Sequence, residues 1–282
     1  VIIIGDYTAQ IGDPTGRNKE RTGLTAEEVQ RNMALYTEQL FTVVDGDRAE
    51  VRYQSEWMQD VDLSETMKLN SRFSVAHLLS HDTFRTRLDA GRRLSLHELM
   101  YPVLQTYNSV MVDADMELGG SDQLFNCLCG RDLQRGLGED PQVVITTPLL
   151  AGTDGDKMSK SLNNQIALDL AAAEIVGRVM SIPDSVLLQY TELATSWAAE
   201  RKRQVRRAYQ AGDVHPRELK LWIAEDIARQ FHDEPTVQRA IDQFERVFAN
   251  KEIPEDIPAH ATPNNGLNVI QLLTAVGAVN ST

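Results

Sequence analysis

The chain has 282 residues, 42% of them hydrophobic and 24% charged, which suffices for two domains with real cores. Its net charge of −13, from 41 acidic and 28 basic residues, excludes a non-specific nucleic-acid coat protein but not a local basic patch. No apolar run approaches the roughly 20 residues of a membrane span, and residues 1–4 are too short for a secretory signal, so a cytoplasmic protein without membrane attachment is expected.

Residues 1–4 read as a buried β-strand of β-branched side chains that needs parallel neighbours on both sides. Its opening at full stride predicts further residues upstream. A loop containing Gly and Asp follows over residues 5–16, then a helix over 26–41 with an apolar stripe through Val29, Met33, Tyr36 and Leu40. Residues 49–53 suggest a second strand. Helices are expected over 75–88 and 95–107, short strands at 110–112 and 143–146, and a helix over 122–137 between those two strands. That alternation predicts an α/β fold with a parallel sheet of Rossmann type. From about residue 168 the pattern is helical throughout, with stripes through Leu219, Ile223 and Ile227, and through Val237, Ala240, Phe244, Val247 and Phe248. Pro216 and Pro235 mark the starts of those helices. Residues 253–265 read as a linker, and a further helix begins near Leu267. Cys127 and Cys129 lack a second ligand pair for zinc, and reduced, half-buried thiols are expected.

Four segments carry chemistry. In Lys157-Met158-Ser159-Lys160-Ser161, preceded by the Gly- and Asp-rich Gly152 to Asp156, two ammonium groups and two hydroxyls can grip phosphate oxygens. Nucleotidyl transfer depends on such positioning and charge neutralisation. Gly12-Asp13-Pro14, with Arg17 and Arg21, follows the first strand, where parallel sheets bind ligands; it also suits an ordinary Asx-Pro turn. Tyr101, Gln105 and Asn108 lie at i, i+4 and i+7 on one helix face, to be satisfied by a polar ligand, by capping or by buried water. Gly119-Gly120-Ser121-Asp122-Gln123 precedes a helix N-terminus, where a ligand can approach the backbone and Asp122 can accept from a ribose.

In this order and spacing the four segments resemble the bacterial tyrosyl-tRNA synthetases, class I enzymes whose KMSKS signature matches residues 157–161. The resemblance implies a catalytic domain over 1–165 with a connective insertion at about 25–97, an all-helical anticodon-side domain over 166–252, and a linker leading into an RNA-binding module over 253–282. It implies that ATP, with Mg²⁺ as part of the substrate, activates L-tyrosine, and that the tyrosyl group passes to tRNA(Tyr). Asp13, Tyr101 and Gln105 then hold the substrate's α-ammonium, and Gln123 is a substrate-side contact. Asp122 and Gly120 sit at the ribose, and Lys157, Lys160 and Ser161 form the pyrophosphate clamp, with Arg17 and Arg21 closing on ATP. No protein-bound metal is expected.

A homodimer built on the insertion is implied too. The HIGH motif of that family is expected before Val1 and the rest of the RNA-binding module after Thr282, so the fragment alone is expected to form adenylate poorly. Asn108 stands where the resemblance implies an Asp that recognises the phenol; its amide oxygen can still accept, without charge assistance. The alternatives are a tryptophanyl-tRNA synthetase, a non-catalytic RNA-binding relative and a generic nucleotidyltransferase.

Overall fold

A computed structural model describes residues 1–14, 25–159, 162–249 and 268–275. Its first half is α/β and includes α2 (Ala26–Phe41), the helix expected there, and the short α3 (Ser55–Met58). Strand β1 (Ile2–Ile4) pairs in parallel with β2 (Val51–Tyr53), and β3 (Met116–Gly120) pairs in parallel with β4 (Val143–Thr147) in the register Met116 to Val143 through Gly120 to Thr147. Between the strands of the second pair runs α8 (Leu124–Leu137), the expected strand–helix–strand unit.

Three local expectations are corrected. The strand at 110–112 is absent, because α7 (Leu96–Met111) continues through it, with Val103, Thr106, Asn108 and Ser109 buried. The true strand is Met116–Gly120, whose Met-Glu-Leu-Gly-Gly carries no β-branched residue. It is a strand because β4 pairs with it, a tertiary contact that overrides propensity. The loop at 5–16 contains a helical turn, α1 (Thr8–Ile11), ended by Gly12 at φ 81°, where a side chain would be strained. Finally, β1 is only half-buried, since among the described residues it has a neighbour on one side alone. The β3–β4 pair likewise exposes Met116, Leu118, Val143 and Ile145 on one face.

Helix α7 starts where the chain dictates. Ser95 and Glu98 form a reciprocal capping box, the Ser95 N–H donating to Glu98 Oε2 at 2.9 Å. The same carboxylate makes a two-pronged ion pair with Arg87 of α6 (Asp82–Asp89), at 2.5 and 3.0 Å, and both side chains are almost fully buried. Burial would raise the Glu98 pKa, but the Arg87 and Ser95 hydrogen bonds outweigh it and hold the carboxyl below its ordinary value. Breaking a buried pair strands a charge in the core. Arg87→Met is therefore expected to lower unfolding stability by about 3–5 kcal/mol. Urea denaturation checks this, and a loss under about 1 kcal/mol contradicts it.

The second half is helical: α9 (Ala172–Ser181), α10 (Leu187–Leu193), α11 (Ala199–Ala211), α12 (Pro216–Arg229) and α13 (Glu234–Phe244). The predicted stripes form its core: Leu219 and Ile223 are fully buried, and Ile227, Val237 and Ala240 nearly so. Pro216 opens α12 and Pro235 lies in the first turn of α13, whose Asp233 cap accepts from the Thr236 N–H at 2.8 Å. The side chain of Phe248 and the linker at 253–265 lie outside the described residues, whereas the expected terminal helix is seen as α14 (Val269–Ala275). Among the described residues no helix is long and apolar enough to cross a membrane.

Candidate active site

Two polar assemblies meet around α1. In the first, a chain of amides starts at Asp13, just past Gly12. Its Oδ2 accepts from Gln123 Nε2 at 3.0 Å, and Gln123 Oε1 accepts from Asn126 Nδ2 at 3.0 Å. Asn126 Nδ2 also donates to Gln105 Oε1 at 3.0 Å. Residues separated by up to 110 positions are thereby joined across the loop after α1, the turn before α8, α8 itself and α7. Tyr101, partly buried, stands one turn before Gln105 on α7. Three residues singled out in the sequence, Asp13, Gln105 and Gln123, are thus brought together, and Asn126 was missed. Its spacing of three from Gln123 on a helix was a usable signal. Asn126 is 2% exposed, and its Oδ1 is a buried acceptor with no partner among the described residues. An ammonium donor would satisfy it.

The chain continues into the phosphate-binding candidates. Asp122 lies next to Gln123 in the same turn, and its Oδ2 receives the Lys157 Nζ at 2.7 Å. Gly120, before it, is tightly surrounded. A Cβ on Gly120 would lie 2.7 Å from Asp122 Oδ1 and 3.0 Å from Leu149 Cδ2. The lysine loop is pinned at its base by an antiparallel bridge between Ala151 and Lys157. Lys160, Ser161, Arg17 and Arg21 lie outside the described residues.

The second assembly contains Asn108. Gln54 is fully buried; its Oε1 accepts from the Thr8 N–H at 2.9 Å and its Nε2 donates to the Leu104 carbonyl at 3.3 Å. These backbone groups have fixed polarity, so the Gln54 amide can point only one way. Its Nε2 donates at 2.9 Å to Asn108 Oδ1, which also accepts from the Trp57 indole at 3.3 Å. The Asn108 oxygen is therefore already committed to two donors. This corrects the expectation that it remains available to accept from a ligand. Its Nδ2 hydrogen-bonds to no described residue, so the group on offer is a donor. Gln54 and Trp57 carried no recognisable signal in the sequence.

The surroundings are neutral rather than basic. His81 is buried, and burial pushes its pKa down against the pull of the Asp13 and Asp82 carboxylates; its Nδ1 accepts from the Thr83 N–H at 3.2 Å. His77, on α5 (Val75–Leu78), packs edge-on against Phe125 at 5.3 Å. Cys127 and Cys129 are buried, which pushes both thiols up to about 12 and makes them poor nucleophiles. Among the described residues no group of three or more His, Cys, Asp or Glu is placed to hold a metal ion.

Comparison with known proteins gives the family and the fold. Residues 1–249 match the family model described as tRNA synthetases class I (W and Y). The chain is 41% identical over 282 residues to the tyrosine--tRNA ligase of Thermotoga maritima, covering all of this chain and 70% of that one. It is 47% identical over 259 residues to the tyrosine--tRNA ligase of Dehalococcoides mccartyi strain 195, covering 92% and 65%. The chain thus spans about two thirds of the length of these curated relatives. Among solved structures, the fold is similar to a C-terminally truncated mitochondrial tyrosyl-tRNA synthetase of Aspergillus nidulans (TM-score 0.66, 20% identity, 87% of this chain and 76% of that one). It is also similar to the tyrosyl-tRNA synthetase of Archaeoglobus fulgidus complexed with L-tyrosine (TM-score 0.58, 19% identity, 77% and 75%).

Proposed function

Since the chain belongs to the class I tRNA synthetases of the W and Y family, we propose that it acts as a tyrosine--tRNA ligase, activating L-tyrosine with ATP and passing the tyrosyl group to tRNA. The observation that carries this reading is the amide chain from Asp13 through Gln123 and Asn126 to Gln105, which lies beside the Lys157–Asp122 pair.

The substrate's ammonium sits against Asp13, Tyr101 and Gln105, where a carboxylate and side-chain oxygens accept from it. The tyrosine carboxylate oxygen attacks the α-phosphorus of ATP, the bond to the β-phosphate breaks, and pyrophosphate leaves. Lys157 and Lys160, with Ser161, Arg17 and Arg21, neutralise the charge that collects on the departing phosphates, and Mg²⁺ arrives with ATP as part of the substrate. Asp122 accepts from the ribose hydroxyls once Lys157 has turned to the phosphates, with Gly120 giving the nucleotide close access to the backbone. A 3′-terminal hydroxyl of tRNA then attacks the activated carbonyl and AMP leaves. No protein nucleophile is needed, in keeping with the inert thiols.

The tRNA is held in part by α11, which carries Arg201, Lys202, Arg203, Arg206 and Arg207 against a single acidic residue, Glu200, in a chain that is acidic overall. Charging of unfractionated tRNA with labelled tyrosine tests the whole reading. Tyrosyl-tRNA formation is expected, and failure with active ATP and intact tRNA contradicts it.

A second copy of the chain is the partner of the insertion. Helix α4 (Leu63–Asn70) and α5 leave Leu63, Met67 and Val75 between 62% and 75% exposed, an apolar surface suited to a two-fold contact. Sedimentation equilibrium is expected to give twice the chain mass, and a monomer at micromolar concentration contradicts it.

A further inference from the structure

The lysine loop owes its shape to one residue outside the lysine motif. Asn164 is 2% exposed and grips the loop at four places. Its Oδ1 accepts from the Ser159 N–H at 2.7 Å. Its Nδ2 donates to Asp154 Oδ1 at 2.8 Å and to the Lys157 carbonyl at 3.2 Å. Its own carbonyl accepts from the Thr153 N–H at 2.8 Å. The two sides of the loop, Thr153–Asp154 and Lys157–Ser159, are thus tied through a single buried residue.

Two further features show that this fit is specific. A Cβ placed on Gly152 would lie 2.4 Å from Asn164 Cγ and Nδ2, so the close approach of Asn164 requires glycine there. Arg178 of α9 donates to the carbonyls on both flanks, Asn163 at 3.2 Å and Gln165 at 2.9 Å. The helical half therefore braces the post on which the loop turns. The base of the loop is tied to the same half by Gln189 and Tyr190 of α10, through Leu149 and Ala151.

We propose that Asn164 is the positioning residue of the phosphate clamp, fixing the loop from Thr153 to Ser159 so that Lys157 is aimed at the nucleotide side of the site. The proposal rests on the reading that this loop handles ATP phosphates. Asn164 touches no substrate itself; it acts through the direction of Lys157. The hydrogen bond from Asn164 also holds the Asp154 carboxyl below its ordinary pKa, which keeps the loop's own acceptor ionised.

ATP–pyrophosphate exchange by the intact protein, with ATP and tyrosine varied separately, tests this. Asn164→Ala is expected to raise KM for ATP at least tenfold while leaving KM for tyrosine close to wild type. A swap, Asp154→Asn with Asn164→Asp, restores one donor–acceptor pair across the loop and keeps the acceptor for Ser159. It is expected to recover most of the ATP affinity that Asn164→Asp alone loses. An unchanged KM for ATP in Asn164→Ala overturns the proposal, as does an equal rise in both KM values, which marks a general structural role. If the wild-type protein exchanges pyrophosphate and only the variant predictions fail, the positioning role alone is rejected. Without exchange in the wild type, the ligase reading falls and takes this proposal with it.

Discussion

Asn108→Asp is expected to raise the preference for tyrosine over phenylalanine about tenfold, read as the ratio of their kcat/KM values. The hydrogen-bond polarity around residue 108 leads to this. Thr8 N–H and Leu104 C=O fix Gln54, and Gln54 together with Trp57 fixes the Asn108 oxygen, leaving only an amide N–H to meet a phenol. A phenol oxygen can accept that N–H, and phenylalanine leaves it unsatisfied, so some discrimination survives. A carboxylate at the same place keeps one oxygen for Gln54 and Trp57 and offers the other as a charged acceptor. Charge-assisted hydrogen bonds are about twice as strong as neutral ones, at roughly 1.5–3 against 0.5–1.5 kcal/mol. The difference of about 1.4 kcal/mol is tenfold in rate. Selection of tyrosine over phenylalanine by tyrosine-specific synthetases is the reference case for sites built to hydrogen-bond a hydroxyl. Identical ratios in wild type and variant would show that residue 108 does not face the ring substituent.

Lys157→Ala is expected to lower the rate of tyrosine activation by about ten- to a hundredfold while leaving the melting temperature within about 2 °C of wild type. One charge-assisted contact to a phosphate is worth roughly 1.5–3 kcal/mol in the transition state. The pair with Asp122, by contrast, is half exposed on the lysine side, and exposed ion pairs contribute roughly 0–1 kcal/mol to folding. The two readouts therefore separate. Tyrosine binding, followed by equilibrium dialysis, is expected to be unchanged, because Lys157 contacts neither Asp13 nor Gln105. A drop in melting temperature matching the drop in rate would assign Lys157 a structural task instead.

The legibility of the molecule followed the range of the interactions involved. Helix α7 was readable because its determinants are local: Ser95 and Glu98 cap it three residues apart, and Tyr101 and Gln105 share a face through helical spacing. The cores of α12 and α13 were readable for the same reason. Strand β3 was not. Met-Glu-Leu-Gly-Gly has no β-branched residue and ends in two glycines, and its pairing with β4 makes it a strand, whereas the β-branched 110–112 was absorbed by a helix already under way.

At the site, motif residues were recognised as separate segments, but their connection was invisible. Asn126 completes the chain between Gln123 and Gln105, and Gln54 decides which atom of Asn108 faces outward. Both are buried amides whose importance depends on partners 21 and 54 residues away. Asn164 belongs to the same class, an ordinary residue in sequence and the hub of a loop in space.

The central claim, that Asp13, Gln105 and Gln123 form an amino-acid site serving the Lys157 clamp, is most directly tested by ATP–pyrophosphate exchange with the intact protein. L-Tyrosine and L-tryptophan are each supplied as the sole amino acid. Exchange that depends on tyrosine, is negligible with tryptophan and falls at least tenfold in Asp13→Ala is the predicted result. Exchange driven by tryptophan, or tyrosine-dependent exchange that is indifferent to Asp13→Ala, would contradict it.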